Sequence, residues 1–294
     1  MSYRPEKTLS LSGVNYENKT AEQISDLFSQ VLENGMHGLC FSAYVEGQKP
    51  GDTLSEAQIR RRMAIIAPYT KWIRSFSCIE GNELIPQIAK EFGLKTLVGA
   101  WLGSDKEKNE EEINALIDLA DKGFVDIAAV GNEVLYRNDL SEEELLDYIN
   151  RVKQAIPNVP VGYVDAYYEF SACPRITDAC DVILANCYPF WEGCHMDYSL
   201  VYMKQMFNQA INAGNGKKVI ITETGWPSEG SNCKAAEPSK EAAIKYFINA
   251  QKWSAEEDVE IFYFTSFDES WKVGSEGDVG AYWGLWDKDE HLKF

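Results

Sequence analysis

Eight short apolar segments punctuate this chain, beginning near residues 38, 72, 94, 125, 159, 181, 218 and 260, and most lead into a helical pattern. Strands that alternate with helices imply a parallel sheet with the helices packed outside it. The helical pattern is plainest over residues 20–35, where Thr20 reads as the N-cap and Ile24, Leu27, Phe28, Val31 and Leu32 share one face. Thr53-Leu-Ser-Glu56 has capping-box spacing and predicts another helix start. No internal repeat, low-complexity tract or linker interrupts the alternation, so a single domain is the economical reading. The expected fold is α/β, a closed (β/α)8 barrel over residues 37–294, with residues 1–36 as a short N-terminal extension packed on it. A candidate strand at 9–16 would make nine and is assigned to the extension. A doubly wound open sheet is the alternative; the lack of a G-x-G-x-x-G after an early strand weakens it.

Composition narrows the ligand. The chain carries 28 Lys and Arg against 46 Asp and Glu, a formal charge of −18. Such a surface argues against nucleic acid or an anionic membrane as partner, and fits a neutral ligand or simply high solubility. No run of 18 apolar residues occurs, so no membrane span is expected. Met1-Ser-Tyr-Arg-Pro-Glu-Lys7 lacks the apolar core of a signal peptide. The expectation is therefore cytoplasmic if the chain is complete, and periplasmic or extracellular if Met1 replaces a removed signal. Four of the seven cysteines, Cys173, Cys180, Cys187 and Cys194, fall at seven-residue intervals. That spacing matches no zinc pattern, so they read as small buried apolar residues, and no metal or cofactor is expected. An odd count leans towards a reducing compartment.

A barrel of this kind places its active site at the C-terminal ends of its strands. The polar and aromatic residues expected there are Tyr44, Arg74, Trp101, Asn132, Glu133, Asp165, Tyr188, Trp191, Glu223, Trp226, Asp268, Glu269, Trp271 and Lys272. None of the three histidines falls at those ends. Glu223 is the sharpest feature. The β-branched run Val219-Ile-Ile-Thr222 delivers it directly before Gly225-Trp226-Pro227, which turns the chain, and an unpaired carboxylate in that place costs free energy. Two strand-end glutamates, Glu133 and Glu223, suggest the acid pair of glycoside hydrolysis. One protonates the leaving oxygen; the other attacks the anomeric carbon or activates water. The aromatics suit apolar sugar faces, although Trp101, Trp191 and Trp226 fit barrel-mouth packing equally well, and the two acids could be satisfied structural groups.

Val130-Gly-Asn-Glu-Val134 and Ile221-Thr-Glu-Thr-Gly-Trp-Pro-Ser228 resemble the two signatures of glycoside hydrolase family 17, the β-1,3-glucanases and β-1,3-glucan transferases. The likeness continues through Ala185-Asn-Cys-Tyr-Pro-Phe190, Phe267-Asp-Glu-Ser-Trp-Lys272 and Tyr282-Trp-Gly-Leu-Trp286. The resemblance implies a retaining enzyme with Glu133 as acid/base and Glu223 as nucleophile. It implies that Asn132 binds the sugar 2-hydroxyl, that Arg74 keeps Glu223 ionised, and that Tyr188 lines the subsite beside it. Glu269 and Lys272 would support the pair, and Tyr44, Trp191 and Trp226 would contact substrate. The expected partner is a neutral β-glucan polysaccharide or oligosaccharide, met by a monomer. Hydrolysis is the leading expectation. Glucanosyl transfer by the same residues, a non-catalytic glucan-binding barrel and an unrelated barrel aldolase or isomerase are the alternatives. Residues 166–180 and 228–238 align poorly with the family.

Overall fold

The computed structural model describes residues 13–294. Its apolar segments are buried on both faces, as strands must be when side chains fill the barrel and helices cover it. β4 (Ile127–Asn132) and β6 (Val182–Asn186) have every residue buried. With β1 (Met36–Cys40), β2 (Thr70–Ser75), β3 (Lys95–Ala100), β5 (Val161–Ala166), β7 (Lys218–Thr224) and β8 (Ile261–Tyr263) they close a parallel barrel in sequence order. The ring shuts where Gly38 of β1 pairs with Phe262 of β8. The fold is the expected (β/α)8 barrel.

Local chemistry accounts for the helix boundaries. The helix Ala21–Glu33 starts at a capping box in which Thr20 and Gln23 each satisfy the other's backbone N–H. Its buried face of Ile24, Phe28 and Leu32 includes Phe28 packed at a tilt against Phe247, with ring centroids 5.0 Å apart. Phe247 belongs to the helix Lys240–Glu257, so the segment before the barrel lies against its wall. Residues 9–12 of the candidate first strand fall outside the described residues, and 13–16 form no strand. There Asn249 Oδ1 accepts from the Val14 N–H and the Tyr16 hydroxyl, at 3.0 and 3.1 Å.

Two boundaries differ from expectation. The capping box expected at Thr53–Glu56 lies two residues later, because Ser55 and Gln58 exchange the reciprocal bonds. β8 stops at Tyr263, although the apolar pattern of the sequence continues to Phe267. Beyond it the backbone changes partners: Thr265 N–H bonds to the Trp283 carbonyl and Ser266 N–H to that of Cys40, while Phe267 bridges to Trp286. The segment around 283–286 thus completes the wall that β8 leaves short.

A third correction concerns Trp226, expected to contact sugar. Its ring is 1% exposed, packs 5.3 Å from Phe190 and 5.4 Å from Tyr246, and its indole N–H donates to the Glu237 carbonyl at 3.0 Å. The turn explains why. A Cβ on Gly225 would sit 2.1 Å from the Phe264 carbonyl oxygen, so the chain leaves β7 tightly against β8 and throws Trp226 outward under the helices. Trp226 is a core residue. Trp226→Ala is expected to cost about 3–5 kcal/mol in chemical denaturation, with the KM of the folded fraction unchanged; a raised KM at unaltered stability would restore the sugar-contact role.

Candidate active site

Arg74 ends β2 inside the barrel with only 1% of its surface exposed, a position that requires a counter-charge and hydrogen bonds. Its Nη1 donates to Glu223 Oε1 at 2.6 Å and to the Thr222 carbonyl at 3.1 Å. Its Nη2 donates to Asn132 Oδ1 at 2.7 Å. A guanidinium can only donate, so it fixes the Asn132 amide with oxygen inward and leaves the Nδ2 hydrogens for a ligand. The Phe76 ring lies 4.3 Å from the guanidinium carbon. Glu223 is held from the other side by the Tyr188 hydroxyl, which donates to Oε2 at 2.8 Å. Burial pushes the Tyr188 pKa well above the ordinary phenol value, so this donor keeps its proton.

Glu133 is presented differently. The β4–β5 ladder slips register between Ala129 and Asn132, and Gly131 and Glu133 both take left-handed backbone, at φ +83° and +53°. Such a bulge re-aims a side chain, and a non-glycine residue held there is strained backbone of the kind that gathers at working sites. The Glu133 N–H is tied to the Val164 carbonyl at 2.8 Å. Its carboxyl accepts from Asn186 Nδ2 at 2.8 Å, and Thr222 Oγ1 donates to Asn186 Oδ1 at 2.9 Å, fixing that amide too. Burial, then the negative charge of Glu223, push the Glu133 pKa up to about 7. The two acids therefore differ in surroundings: Glu223 faces a cation and a phenol, Glu133 a neutral amide.

Both open into one cleft of about 1210 Å³, larger than a single sugar needs. Tyr44, Asn132, Tyr188, Trp191, Glu269 and Lys272 line it with them, while Arg74 lies beneath the floor. Lys272 Nζ pairs with Glu269 Oε2 at 2.7 Å and stands 4.0 Å over the Phe264 ring. Burial opposes the Lys272 charge, but Glu269 and Glu276 hold its pKa above the usual lysine value. Trp101 and Trp191 are 42% and 40% exposed at the cleft, and Trp191 also packs 5.5 Å from Trp283. Asp165 and Asp268, also at strand ends, point elsewhere: Asp165 accepts from Tyr163, and Asp268 pairs with Lys293 at 2.9 Å. Among the described residues no cluster of three His, Cys, Asp or Glu is arranged to hold a metal ion, and all seven cysteines are free thiols.

Sequence reasoning missed Asn186, Phe76, Tyr136, Arg137, Phe264 and Glu276, all of which line the cleft or hold its walls. Asn186 ends β6 and was within reach of the strand-end rule. Glu276 sits on a short helix after β8, where nothing in the local pattern marks it.

Residues 38–284 match the model of the BtgE/BtgC glycoside hydrolase domain. A glucan 1,3-β-glucosidase of Schizosaccharomyces pombe is 28% identical over 251 residues, spanning 78% of this chain and 77% of that protein. The glycoside hydrolase family 17 β-1,3-glucanosyltransferase of Rhizomucor miehei superimposes with a TM-score of 0.79 at 27% identity, over 89% of this chain and 96% of the other. Its active-site mutant has been solved in complex with laminaritriose. An endo-laminarinase from Formosa, 17% identical with a TM-score of 0.76 over 89% of this chain and 86% of the other, shares the fold. Among the described residues no helix is long and apolar enough to cross a membrane. With a family match over most of its length and the barrel of its relatives, the chain belongs to the BtgE/BtgC glycoside hydrolases and is a glycosidase of the family 17 type.

Proposed function

We propose that the protein cleaves neutral β-1,3-glucan with retention of configuration, using Glu223 as nucleophile and Glu133 as acid/base. One observation carries the assignment: the contrast between Glu223, ion-paired to Arg74, and Glu133, whose partly buried carboxyl is pushed up to about 7 by burial and then by the Glu223 charge, so that a large fraction of it keeps its proton near neutral pH. Glu223 attacks the anomeric carbon as Glu133 protonates the departing oxygen, leaving a glycosyl ester on Glu223. Forming the ester removes the Glu223 charge, one cause of the raised Glu133 pKa. Glu133, its proton already passed to the departing oxygen, is then more stable as the carboxylate and serves as base, taking a proton from the incoming acceptor as the glycosyl ester to Glu223 breaks. The free Nδ2 hydrogens of Asn132 suit the sugar 2-hydroxyl, a contact that tightens in the transition state. The glucan names and the laminaritriose complex of the relatives support the substrate class.

Water as acceptor is the favoured outcome. Transfer to a second sugar is the other reading, and the exposed rings of Tyr136 and Trp191 at the cleft favour it. Products from laminari-oligosaccharides separate the two: transfer makes chains longer than the substrate.

Glu133→Gln is expected to lower kcat on glucan by roughly 10²–10⁴-fold, and Glu223→Gln to abolish turnover, with the folded circular dichroism spectrum kept. The first product seen by proton NMR is expected as the β-anomer; an α-anomer would overturn retention. Because Glu133 must be protonated to act as acid, kcat/KM is expected to fall as pH rises through about 7. That limb should vanish for substrates whose leaving group needs no proton. The cleft also carries Glu80, Asp105, Glu112, Asp139, Glu192, Glu269 and Glu276 against Lys108, Arg137 and Lys272. Carboxymethylated glucan should therefore be cleaved more slowly than neutral glucan at low salt, and the gap should narrow as salt screens the field.

A further inference from the structure

Arg137 is not at a strand end and has no carboxylate of the catalytic pair as its partner, yet it touches the backbone on both sides of Glu133. Its own N–H donates to the Glu133 carbonyl at 2.9 Å, closing a turn over the left-handed residue. Its Nη1 donates to the Asn132 carbonyl at 2.5 Å, the peptide oxygen immediately before Glu133. Nη2 reaches across to the Leu102 carbonyl of the loop after β3 at 3.1 Å, and Nε is anchored by Asp139 at 2.7 Å. The guanidinium carbon stands 4.7 Å over the Trp101 ring, on the same loop as Leu102. Trp101 keeps 42% of its surface exposed and lines the cleft.

We propose that Arg137 is a positioning residue that holds the Glu133 turn and the Trp101 sugar platform in one register, so that glucan seated on Trp101 meets a correctly aimed acid. A planar fork suits this work and a point charge does not, because three separate acceptors and one ring face are engaged at fixed angles. The left-handed turn supplies the need. Glu133 is held by hydrogen bonds to its backbone rather than by preference for its conformation, and the Asn132–Glu133 peptide keeps only its Val164 bond once its carbonyl loses the guanidinium. The inference rests on Glu133 being the acid.

Leaving-group dependence tests it. The parent, Glu133→Ala, Arg137→Ala and Arg137→Lys are compared on β-1,3-gluco-oligosaccharides carrying a dinitrophenyl leaving group, which departs without a proton, and a phenyl group, which needs one. The ratio of the two rates belongs to each variant's active molecules and is unaffected by how much of it has folded. Arg137→Ala is expected to lose about 10–100-fold in kcat/KM, which reports the first step alone, on the phenyl substrate and less than about 3-fold on the dinitrophenyl one, a milder form of the Glu133→Ala pattern. Arg137→Lys should resemble Arg137→Ala. On unmodified glucan, Arg137→Ala should raise KM as Trp101→Ala does, and the double variant should raise it no further, since neighbours acting through one contact are not additive. Equal losses on both aryl substrates would reduce Arg137 to a general structural role and overturn the proposal, as would a Lys variant with parental rates. Additive KM effects would break the link to Trp101. A Glu133→Ala variant without leaving-group dependence would instead remove the acid assignment itself, and the proposal with it.

Discussion

The buried guanidinium of Arg74 is the interaction from which this site is built. Taking that charge out of water is affordable only because Glu223 stands 2.6 Å away and Asn132 accepts at 2.7 Å. The three residues come from β2, β7 and β4, so one side chain ties together three staves of the barrel. Removing one partner of such a pair typically costs about 3–5 kcal/mol, which makes Glu223 a structural element as well as the proposed nucleophile. The same bonds settle which way the Asn132 amide points, and so which atoms meet a sugar hydroxyl.

Electrostatic division of labour follows from that placement. Glu223 is saturated by Arg74 and Tyr188, whereas Glu133 receives one neutral donor, Asn186. Two identical side chains, at the ends of β4 and β7, therefore sit in different surroundings, and burial with the Glu223 charge raises the pKa of Glu133. Around them, Lys272 repeats the motif on a smaller scale, a buried cation answered by Glu269 and facing an aromatic ring.

The barrel was readable in the sequence because its signal is redundant: eight apolar runs, each helix stopped and started by local chemistry. Glu133, Glu223, Arg74 and Asn132 were readable because each ends a strand, and strand ends in this fold converge. What the sequence concealed depends on backbone detour or on contact across loops. Trp226 follows Glu223 by three residues, yet the tight passage of Gly225 past Phe264 turns it into the core. β8 was overextended because Phe264 and Phe267 continue the apolar pattern while their backbone pairs elsewhere. Arg137 lies in a short polar stretch, and only the left-handed turn at Glu133 folds it back over the acid.

The aromatic layer has an optical consequence. Trp191 and Trp283 lie 5.5 Å apart, and Trp283 meets Tyr188, Phe190 and Phe264 at 5.5, 5.5 and 5.9 Å, forming a connected patch from the cleft surface to the interior. Trp101 and Trp191 are open to solvent at the cleft, while Trp226 and Trp283 are sealed. A sugar chain settling in the cleft dries the first pair and leaves the second untouched. The protein's own ultraviolet emission is therefore a gauge of occupancy with an internal reference, and substrate arrival can be followed on the unlabelled enzyme before any bond is broken.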